Sequence, residues 1–391
     1  MHFFRNESEH KYVEQLTSVI EVFADRAVEL DESRGFPFQN IKDLKACGYT
    51  TLTLPKQYGG LGKGLYEFLL CQEKIGQYCG PTALSIGWHN GTVLQLQDGR
   101  RGWSKEVLEE TFVKIANGAL INRAASEPIT GSPTRGGRPT TTARKVGSTY
   151  IINGRKNYTS MAPMLDLFLV SAWVEERKEI GWFLIEKEAQ GLSIEKTWDM
   201  LSMQGTGSED LVLQDVVVDE KYLVESGKKG TLFDEGWLLH IPACYLGIAS
   251  AARHYALNFA TTHSPNSLQG SISQLPHIKK QIGEIEMELL EARHFLYSVA
   301  SQWEAQPDNH DMLHPQLGAV KRSVINSALS IVDKSMRIVG ALSLKMSCPL
   351  QRYYRDVRAG LHNPPMEDAV INLLAETALK NKSASAPFNG V

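Results

Sequence analysis

The hydrophobic pattern of the chain changes its period twice, and this change restricts the folds that the chain can adopt. In the first part, apolar residues recur at every third or fourth position, which is typical of amphipathic helices. From about Ala119 to Val224, short runs rich in β-branched and aromatic residues indicate strands instead. The helical period returns at about Phe233. The pattern predicts three domains, at residues 1–118, 119–228 and 229–391.

The expected fold class is α+β, with each domain of one type. In the middle segment, candidate strands follow one another closely, which predicts a compact antiparallel sandwich or barrel. Asn153-Gly154 lies between two of these strands, and this dipeptide is the strongest short-range hairpin signal. In the last segment, narrow apolar stripes such as those over 278–299 and 317–338 indicate long packed helices. With a shorter helix after Pro365, they predict a C-terminal four-helix bundle behind an N-terminal all-α domain.

Composition and charge argue against several classes of function. The chain has 41 Lys and Arg against 44 Asp and Glu, so its near-neutral charge does not favour a nucleic-acid-binding surface. No apolar run approaches the roughly 20 residues that cross a bilayer, and no signal segment opens the sequence. Five scattered cysteines favour reduced thiols. His310 and His314 lack a third ligand, so no metal site is expected. We expect a cytoplasmic protein that binds neither nucleic acid nor membrane.

Four segments in collinear order carry a resemblance to one family. They read TLPKQYGGLGKG, SEPITGS (Ser126–Ser132), YIINGRKNYTS and LSMQGTGSEDLVLQDVVVD. They resemble, in turn, the N-terminal-domain turn, the Thr-Glu-Pro-x-x-Gly-Ser loop, the Gly-x-Lys-x-Trp-x-Thr strand and the Gly-x-Arg-Gly-Ser segment of the acyl-CoA dehydrogenase superfamily. The resemblance extends over nearly the whole chain. It implies the same order of helical, β and bundle domains.

The resemblance also implies a flavin cofactor, FAD with FMN as the alternative. Tyr158 occupies the position of the family's flavin-stacking tryptophan, and Thr159 follows it in the same strand. Ser160 occupies the position of the threonine that contacts N5 and O4 of the ring. Ser126 would bind the pyrimidine side of the ring, and Ser132 would lie beside the pyrophosphate or the substrate thioester. A planar ring needs such a flat wall and a few hydrogen bonds at its edge.

The segments that usually bind the adenine half of the cofactor differ from the family pattern. The family has an arginine before Phe-Gly at the second bundle helix, where it reaches the pyrophosphate of a neighbouring subunit. This chain has Gln269-Gly270 there and no arginine. Arg337 stands where a glutamine usually precedes Phe-Gly-Gly, and a guanidinium suits phosphate. If Arg337 does not restore the lost charge, the site is expected to prefer FMN or to bind FAD weakly.

The family's catalytic base is missing from its usual position. In the dehydrogenases a glutamate after a Tyr-Arg-Asp segment removes the α-proton of the acyl thioester. Arg355 and Asp356 match that segment, but the register then falls on Pro364, which cannot accept a proton. Glu367, three residues later, is the nearest carboxylate in sequence. Where relatives carry the base on the first bundle helix instead, the register falls near Trp237.

Two histidines suggest a different chemistry. Leu361-His362-Asn363-Pro364 resembles a segment of the flavin monooxygenases that share this fold, and His89 fits the position of a second histidine that those enzymes often have. A histidine pair beside a flavin could supply protons or hydrogen bonds during oxygen activation. Each histidine also has a structural interpretation. His89 fits a buried histidine between packed helices, and His362 fits a residue at the start of a helix.

Three functions therefore stay open. The first is oxidation of the CH–CH group of an acyl-CoA or a related small substrate. The second is a two-component monooxygenase that uses oxygen and reduced flavin from a flavin reductase. The third is a non-catalytic scaffold that binds flavin or acyl groups. The missing glutamate speaks against the first, and the retained Tyr158, Ser160 and histidine pair speak against the third. The apolar stripes of the bundle also lead us to expect a homo-oligomer, and a tetramer in particular.

Overall fold

The computed structural model of the chain describes residues 3–97, 102–130, 137–227 and 235–384. Its elements follow the order that the hydrophobic pattern predicts, with helices, then strands, then helices, so the expected three-part α+β architecture is confirmed. The helices of the first region are α1 (Glu7–Ile20), α2 (Phe23–Ser33), α3 (Phe38–Ala46), α4 (Leu65–Tyr78), α5 (Gly80–Gln97) and α6 (Lys105–Ala116).

The strands of the middle region form one twisted sheet. They are β1 (Ile121–Ala124), β2 (Thr142–Val146), β3 (Thr149–Thr159), β4 (Leu167–Val174), β5 (Glu179–Glu186), β6 (Leu192–Glu195), β7 (Glu209–Asp219) and β8 (Leu223–Ser226). Their order is β6-β7-β3-β2-β4-β5-β8, and β1 pairs with β4. Most neighbours are antiparallel, as predicted, but β4 runs parallel to both β1 and β2. The sheet is therefore mixed and not purely antiparallel.

The prediction of a hairpin turn at Asn153-Gly154 is wrong. β3 continues through both residues, and the turn that pairs β2 with β3 lies earlier, at Gly147. A β-bulge at this point shifts the register between β3 and β7, and Gly154 takes a φ of 154°. The Asn153 side chain bonds across the sheet to Asp215. A Cβ on Gly154 would lie 2.4 Å from Thr141 Oγ1, so the glycine serves a close approach rather than a turn.

The last region is a helical bundle. Its helices are α7 (His240–Thr262), α8 (Pro276–Ala305), α9 (His310–Val339), the short α10 (Pro349–Arg358) and α11 (Glu367–Ala384). The apolar stripes of α8 and α9 are buried, as the helical period predicts. Among the described residues, no helix is both long and apolar enough to cross a bilayer.

Close contacts join the three regions. α4 crosses α7 at two glycines, because a Cβ on Gly76 would lie 2.5 Å from Cys244 O and one on Gly247 would lie 2.2 Å from Glu73 O. α10 contacts the β region, where the Asp356 carboxylate accepts a hydrogen bond from Met203 N at 2.7 Å. Ser85 Oγ of α5 donates to Thr206 O at 3.4 Å, and Ser160 Oγ lies 2.9 Å from Ser208 Oγ, so α5, the end of β3 and the β6–β7 loop meet at one place.

Candidate functional site

The end of β3 presents an aromatic ring beside two buried hydroxyl groups. Tyr158 is 52% exposed and takes a left-handed φ of 54°, whereas Thr159 and Ser160 are buried. This backbone conformation is uncommon for an aromatic residue, and it follows from a second β-bulge between Lys156 and Thr159. Trp198 packs edge-on against the Tyr158 ring, with centroids 5.9 Å apart. The strand therefore ends in a flat aromatic surface that is open to a ligand.

Three hydroxyl groups form a chain behind this surface. Ser160 Oγ lies 2.9 Å from Ser208 Oγ, which lies 2.9 Å from Thr206 Oγ1. Thr206 Oγ1 in turn donates to Met203 O at 3.0 Å. Asn122 of β1 donates to Ser160 O at 3.0 Å, so the position of the serine is fixed from both sides. The chain links the tip of β3 to the loop between β6 and β7.

A buried ion pair joins Glu127, which follows β1, to β3. Lys156 Nζ lies 2.6 Å from Glu127 Oε1, and neither side chain is exposed. Thr140 also bonds to the Glu127 carboxylate, and Asn157 N donates to Ser126 O at 2.9 Å. Burial would raise the pKa of Glu127, but the hydrogen bonds from Lys156 and Thr140 outweigh it and lower that pKa to about 2. Burial lowers the pKa of Lys156 to about 8, so the pair is charged at neutral pH.

Both ring nitrogens of His89 bond to backbone groups. Nδ1 accepts from Ile121 N at 3.1 Å, so the proton lies on Nε2, which donates to Thr50 O at 2.8 Å. Burial lowers the pKa of His89 to about 4, against the raising effect of these bonds. The ring is therefore neutral at pH 7 and joins α5 to β1 and to the turn at Thr50.

The other two predicted catalytic residues lie on the segment after α10. His362 is exposed, and Tyr245 fixes the segment by donating to Asn363 Oδ1 at 2.6 Å. Glu367 lies in the first turn of α11, as the sequence predicts, and its Oε1 accepts from Arg322 Nε at 2.7 Å. Its side chain is 47% exposed. Among the described residues, no hydrogen bond or ion pair joins any two of His89, His362 and Glu367.

Arg337 and Ser132 are the two predicted cofactor residues that remain to be located. Arg337 is on the exposed face of α9 and lines a surface groove of about 430 Å³. The groove is also lined by Gln281, Glu284, Ser330, Asp333 and Lys334. Ser132 lies outside the described residues.

Sequence reasoning missed several residues that shape the site. Thr206 and Ser208 extend the hydroxyl chain, Glu127 and Lys156 form the buried pair, and Trp198 packs against the exposed tyrosine. The sequence could have indicated the first four of these residues, because they lie within the segments that resemble the family. Trp198 follows β6, and only the folded sheet brings it near β3.

The end of β3 fits a planar ring with polar edges. Tyr158 supplies an open aromatic face, and two buried polar atoms beside it, Thr159 Oγ1 and Asn157 Oδ1, have no partner in the described part of the chain. Buried polar atoms are rarely left unpaired, so these two indicate that a ligand completes the site. An isoalloxazine ring meets both conditions, since it stacks on an aromatic side chain and carries hydrogen-bonding atoms along its edge.

Comparison with known proteins identifies the class that this fold and site define. The N-terminal, middle and C-terminal domains of acyl-CoA dehydrogenases match residues 7–111, 122–216 and 239–363. The chain therefore belongs to the acyl-CoA dehydrogenase family, as its sequence segments indicate. A relative from Bacillus subtilis (strain 168), provisionally named acyl-CoA dehydrogenase YdbM, is 50% identical over 97% of this chain and 99% of its own length.

Solved structures of two kinds share the fold. Butyryl-CoA dehydrogenase from Megasphaera elsdenii superposes with a TM-score of 0.87 at 20% identity, over 97% of this chain and 100% of its own. FMN-bound TdsC from Paenibacillus sp. A11-2 superposes with a TM-score of 0.85 at 21% identity, over 97% and 99% of the two chains. At this identity the likeness establishes the fold, and the chemistry must be argued from the residues.

Proposed function

We propose that the chain is a flavin monooxygenase of the acyl-CoA dehydrogenase family, which uses reduced flavin and oxygen to act on a small substrate. Tyr158 would stack on the flavin ring, Ser160 would face its N5 and O4 edge, and Ser126 and Thr159 would bind nearby polar atoms of the ring. The observation that carries the proposal is the direction of the hydrogen bonds behind Ser160.

The direction of the hydroxyl chain follows from one carbonyl group. Met203 O can only accept, so Thr206 uses its hydroxyl proton on it. The bond between Thr206 and Ser208 must then be donated by Ser208. Ser208 has no proton left, so Ser160 donates in the last bond of the chain. The hydroxyl of Ser160 can therefore only accept a hydrogen bond from a ligand.

An acceptor at this position complements the reduced cofactor. The N5 atom of oxidised flavin carries no hydrogen and accepts hydrogen bonds, whereas N5 of reduced flavin carries one and donates. The backbone N–H of Ser160 does not change this balance, since it already donates to Tyr158 O at 2.9 Å. Preference for reduced flavin is what a two-component monooxygenase needs, because it receives its flavin already reduced by a separate flavin reductase.

The segment after α10 also supports this proposal, because it lacks a base for α-proton removal. Pro364 occupies the family's base position, and the Glu367 carboxylate binds Arg322 on the exposed side of α9. The buried Asp356 carboxylate accepts a hydrogen bond from Met203 N, and the carbonyl of Met203 ends the hydroxyl chain. Burial raises the pKa of Asp356 to about 6. Its contacts connect α10 to the β6–β7 loop, which indicates a structural role.

Each residue then has a role toward the bound flavin. A reduced flavin would supply two electrons, so that one oxygen atom enters the substrate and the other leaves as water. Ser160 orients the ring edge, and Tyr158 with Trp198 excludes water from one face. The buried pair of Lys156 and Glu127 positions Ser126, whose carbonyl oxygen accepts from Asn157 N. The exposed His362 would move a proton.

The test compares flavin affinities in the two redox states. Wild-type protein is titrated anaerobically with oxidised and with reduced FMN and FAD, and Ser208→Ala is titrated in the same way. In the variant, Ser160 regains a free proton, so the preference for reduced flavin should fall about tenfold, the equivalent of one neutral hydrogen bond. Ser343→Ala is the matched control, because Ser343 is a buried serine that donates to Gly340 O elsewhere in the bundle. Wild-type protein that binds oxidised flavin more tightly would contradict the proposal.

A second candidate function is oxidation of an acyl-CoA by the bound flavin. It is supported by the name of the relative from B. subtilis and by the likeness to butyryl-CoA dehydrogenase. Anaerobic mixing of flavin-loaded protein with butyryl-CoA separates the two candidates. Bleaching of the flavin by the thioester alone would indicate the dehydrogenase. Oxygen uptake that requires reduced flavin and a substrate would indicate the monooxygenase.

Arg337 bears on the choice between FAD and FMN. Its guanidinium lies on the exposed face of α9, where it could bind the pyrophosphate of FAD from a neighbouring subunit of a homo-oligomer. The adjacent Lys334 is already paired with Glu284 and Glu288. On this proposal, Arg337→Gln weakens FAD binding and leaves FMN binding unchanged. Light scattering on the same samples measures the oligomeric state, and a tetramer is expected.

A further inference from the structure

An open groove of about 620 Å³ lies between α1 and α8, with α4 as its floor. The residues that line it belong to these three helices, to the end of α1 and to the segment before α1. Phe3 and Phe4 contribute from that segment. From His10 to Glu21, both of which line the groove, α1 rises about 16 Å at 1.5 Å per residue. We call this elongated space the α1–α8 groove.

Contacts at the two ends fix the direction of the groove. Tyr66, in the first turn of α4, donates its hydroxyl to Phe3 O at 2.7 Å. Glu21, at the end of α1, acts electrostatically on Lys74 in the last two turns of α4. α1 and α4 therefore run side by side in the same direction. The groove leads from an aromatic end at Phe3 to a polar end at Lys74 and Gln77.

The part of the groove near the aromatic end is apolar. Phe3 and Phe4 are half-buried, and the buried Val13 and Leu70 follow them along the groove. The Phe3 ring stacks on Tyr297, with centroids 5.3 Å apart. Apolar surface that remains open to water gains free energy when another apolar group covers it. This part of the groove therefore favours an apolar tail.

The charged groups along the wall of the groove have partners. Glu73 Oε1 accepts from Arg293 Nε at 2.8 Å, and Glu73 Oε2 accepts from Tyr297 OH at 2.7 Å. At the rim, Oε1 of the exposed Glu14 lies 3.3 Å from His10 Nε2. These groups are satisfied within the chain, so they do not decide which charge a ligand carries.

Lys74 and Gln77 differ from the wall, because neither side chain has a polar partner. In the described part of the chain, no hydrogen bond or ion pair joins either of them to another group, and Lys74 Nζ lies 5.5 Å from the centroid of the Tyr78 ring. Both are half-buried, and residues three apart lie side by side on a helix. Burial lowers the pKa of Lys74, although Glu73 and Glu21 act against it. An ammonium and an amide thus stand together without the anion that both could bind.

From these observations we propose that the α1–α8 groove binds a carboxylate with an extended apolar tail, such as a medium-chain fatty acid. The carboxylate accepts hydrogen bonds from Lys74 Nζ and the Gln77 amide, and the tail lies along the apolar part toward Phe3. Hydrogen bonds between charged groups are the stronger kind, so the ammonium selects an anion over a neutral head. Glu21 opposes the anion, but it is exposed, and solvent screens its effect. The groove and the proposed flavin site have different residues, so the inference does not rest on the proposed function.

Calorimetry of decanoate binding to the flavin-loaded protein tests the proposal. Lys74→Met keeps the bulk of the side chain and removes its charge, so decanoate binding should weaken at least tenfold. The variant should not melt at a lower temperature, because the lost charge has no partner. Lys280→Met is the matched control, since Lys280 is exposed on α8 and pairs with Glu284 outside the groove. It should leave decanoate binding unchanged.

Changes to the ligand and to the rim separate the roles of head and tail. Decanol has the same tail without the charge, so it should bind more weakly than decanoate and equally well to the wild type and to Lys74→Met. Acetate has the head without the tail, so it should not bind at millimolar concentrations. Glu21→Gln should tighten decanoate binding, because it removes a negative charge that acts on Lys74.

Several outcomes overturn the proposal. If decanoate does not bind the wild type at millimolar concentrations, or binds Lys74→Met equally well, the groove is not a carboxylate site. If Glu21→Gln weakens decanoate binding, the polar end does not select an anion. If Lys74→Met melts at a lower temperature, the ammonium has a partner, such as bound water, in the free protein. Absorbance of the flavin is recorded in every sample. A protein that binds decanoate but no flavin would refute the proposed function and leave the carboxylate site standing.

Discussion

The two sides of the candidate site differ in how their buried polar atoms are satisfied. On the strand side, Lys156 pairs with Glu127, and Ser160 belongs to a continuous hydrogen-bonded chain. On the helix side, Trp237 and His240 are buried to the same degree, yet their nitrogens lack partners in the described chain. The degree of burial therefore does not distinguish the strand side from the helix side. Paired groups hold the backbone in place, whereas unpaired nitrogens hold no backbone group. Removing a polar group should therefore destabilise the strand side and not the helix side.

The largest expected effect is on the strand side. Lys156→Met leaves the Glu127 carboxylate buried without its positive partner, which should lower the free energy of unfolding by about 4 kcal/mol. Lys145→Met is the matched control, because Lys145 pairs with Glu220 in a largely exposed bridge. Its effect should be much smaller, because solvent screens an exposed pair. Urea denaturation measures both values, and equal effects of the two variants would contradict the structural role of the buried pair.

Two buried histidines give the most direct comparison. His89→Phe removes the partners of Ile121 N and Thr50 O, so it should lower the free energy of unfolding by about 3 kcal/mol. His240→Phe removes only unpaired nitrogens, so it should not lower the free energy of unfolding. Both variants are compared by urea denaturation under the same conditions. If both destabilise the protein equally, the contrast between the two sides of the site is wrong.

The sequence predicts what depends on local periodicity or on linked motifs. The order of the domains follows from the hydrophobic period, and Ser160 follows from its position in a family segment. The bond between Ser160 and Ser208 joins residues that are distant in sequence, and it forms only when β7 pairs with β3. The same limit explains the error at Gly154, where a local turn signal serves a close contact with Thr141. The unpaired state of His240 is likewise a property of packing, which no local pattern reveals.

Acid should weaken the fold through the buried histidines. The pKa of His240 is lowered to about 3 by burial, below its unfolded value of about 6.5. The unfolded chain therefore binds a proton that the folded ring does not, and stability falls as the pH decreases from about 6.5 toward 3. Between pH 7 and pH 5, His240→Phe should lose about 2 kcal/mol less than the wild type. The exposed His277→Gln should follow the wild type. If the pH dependence of His240→Phe equals that of the wild type, His240 is protonated or paired in the folded protein.

The smallest expected effect is at Glu367, and it tests the chemistry most sharply. Its carboxylate forms a half-exposed pair with Arg322, so Glu367→Gln should change stability by less than about 1 kcal/mol. The residue also lies in the first turn of α11, where it faces the same pairing partner rather than the end of β3. Turnover should therefore persist in Glu367→Gln, as in the control Glu376→Gln on the same helix. His362→Ala should instead abolish turnover with the flavin still bound, as steady-state kinetics and flavin absorbance would record. An inactive Glu367→Gln beside an active His362→Ala would make Glu367 the base and the enzyme a dehydrogenase.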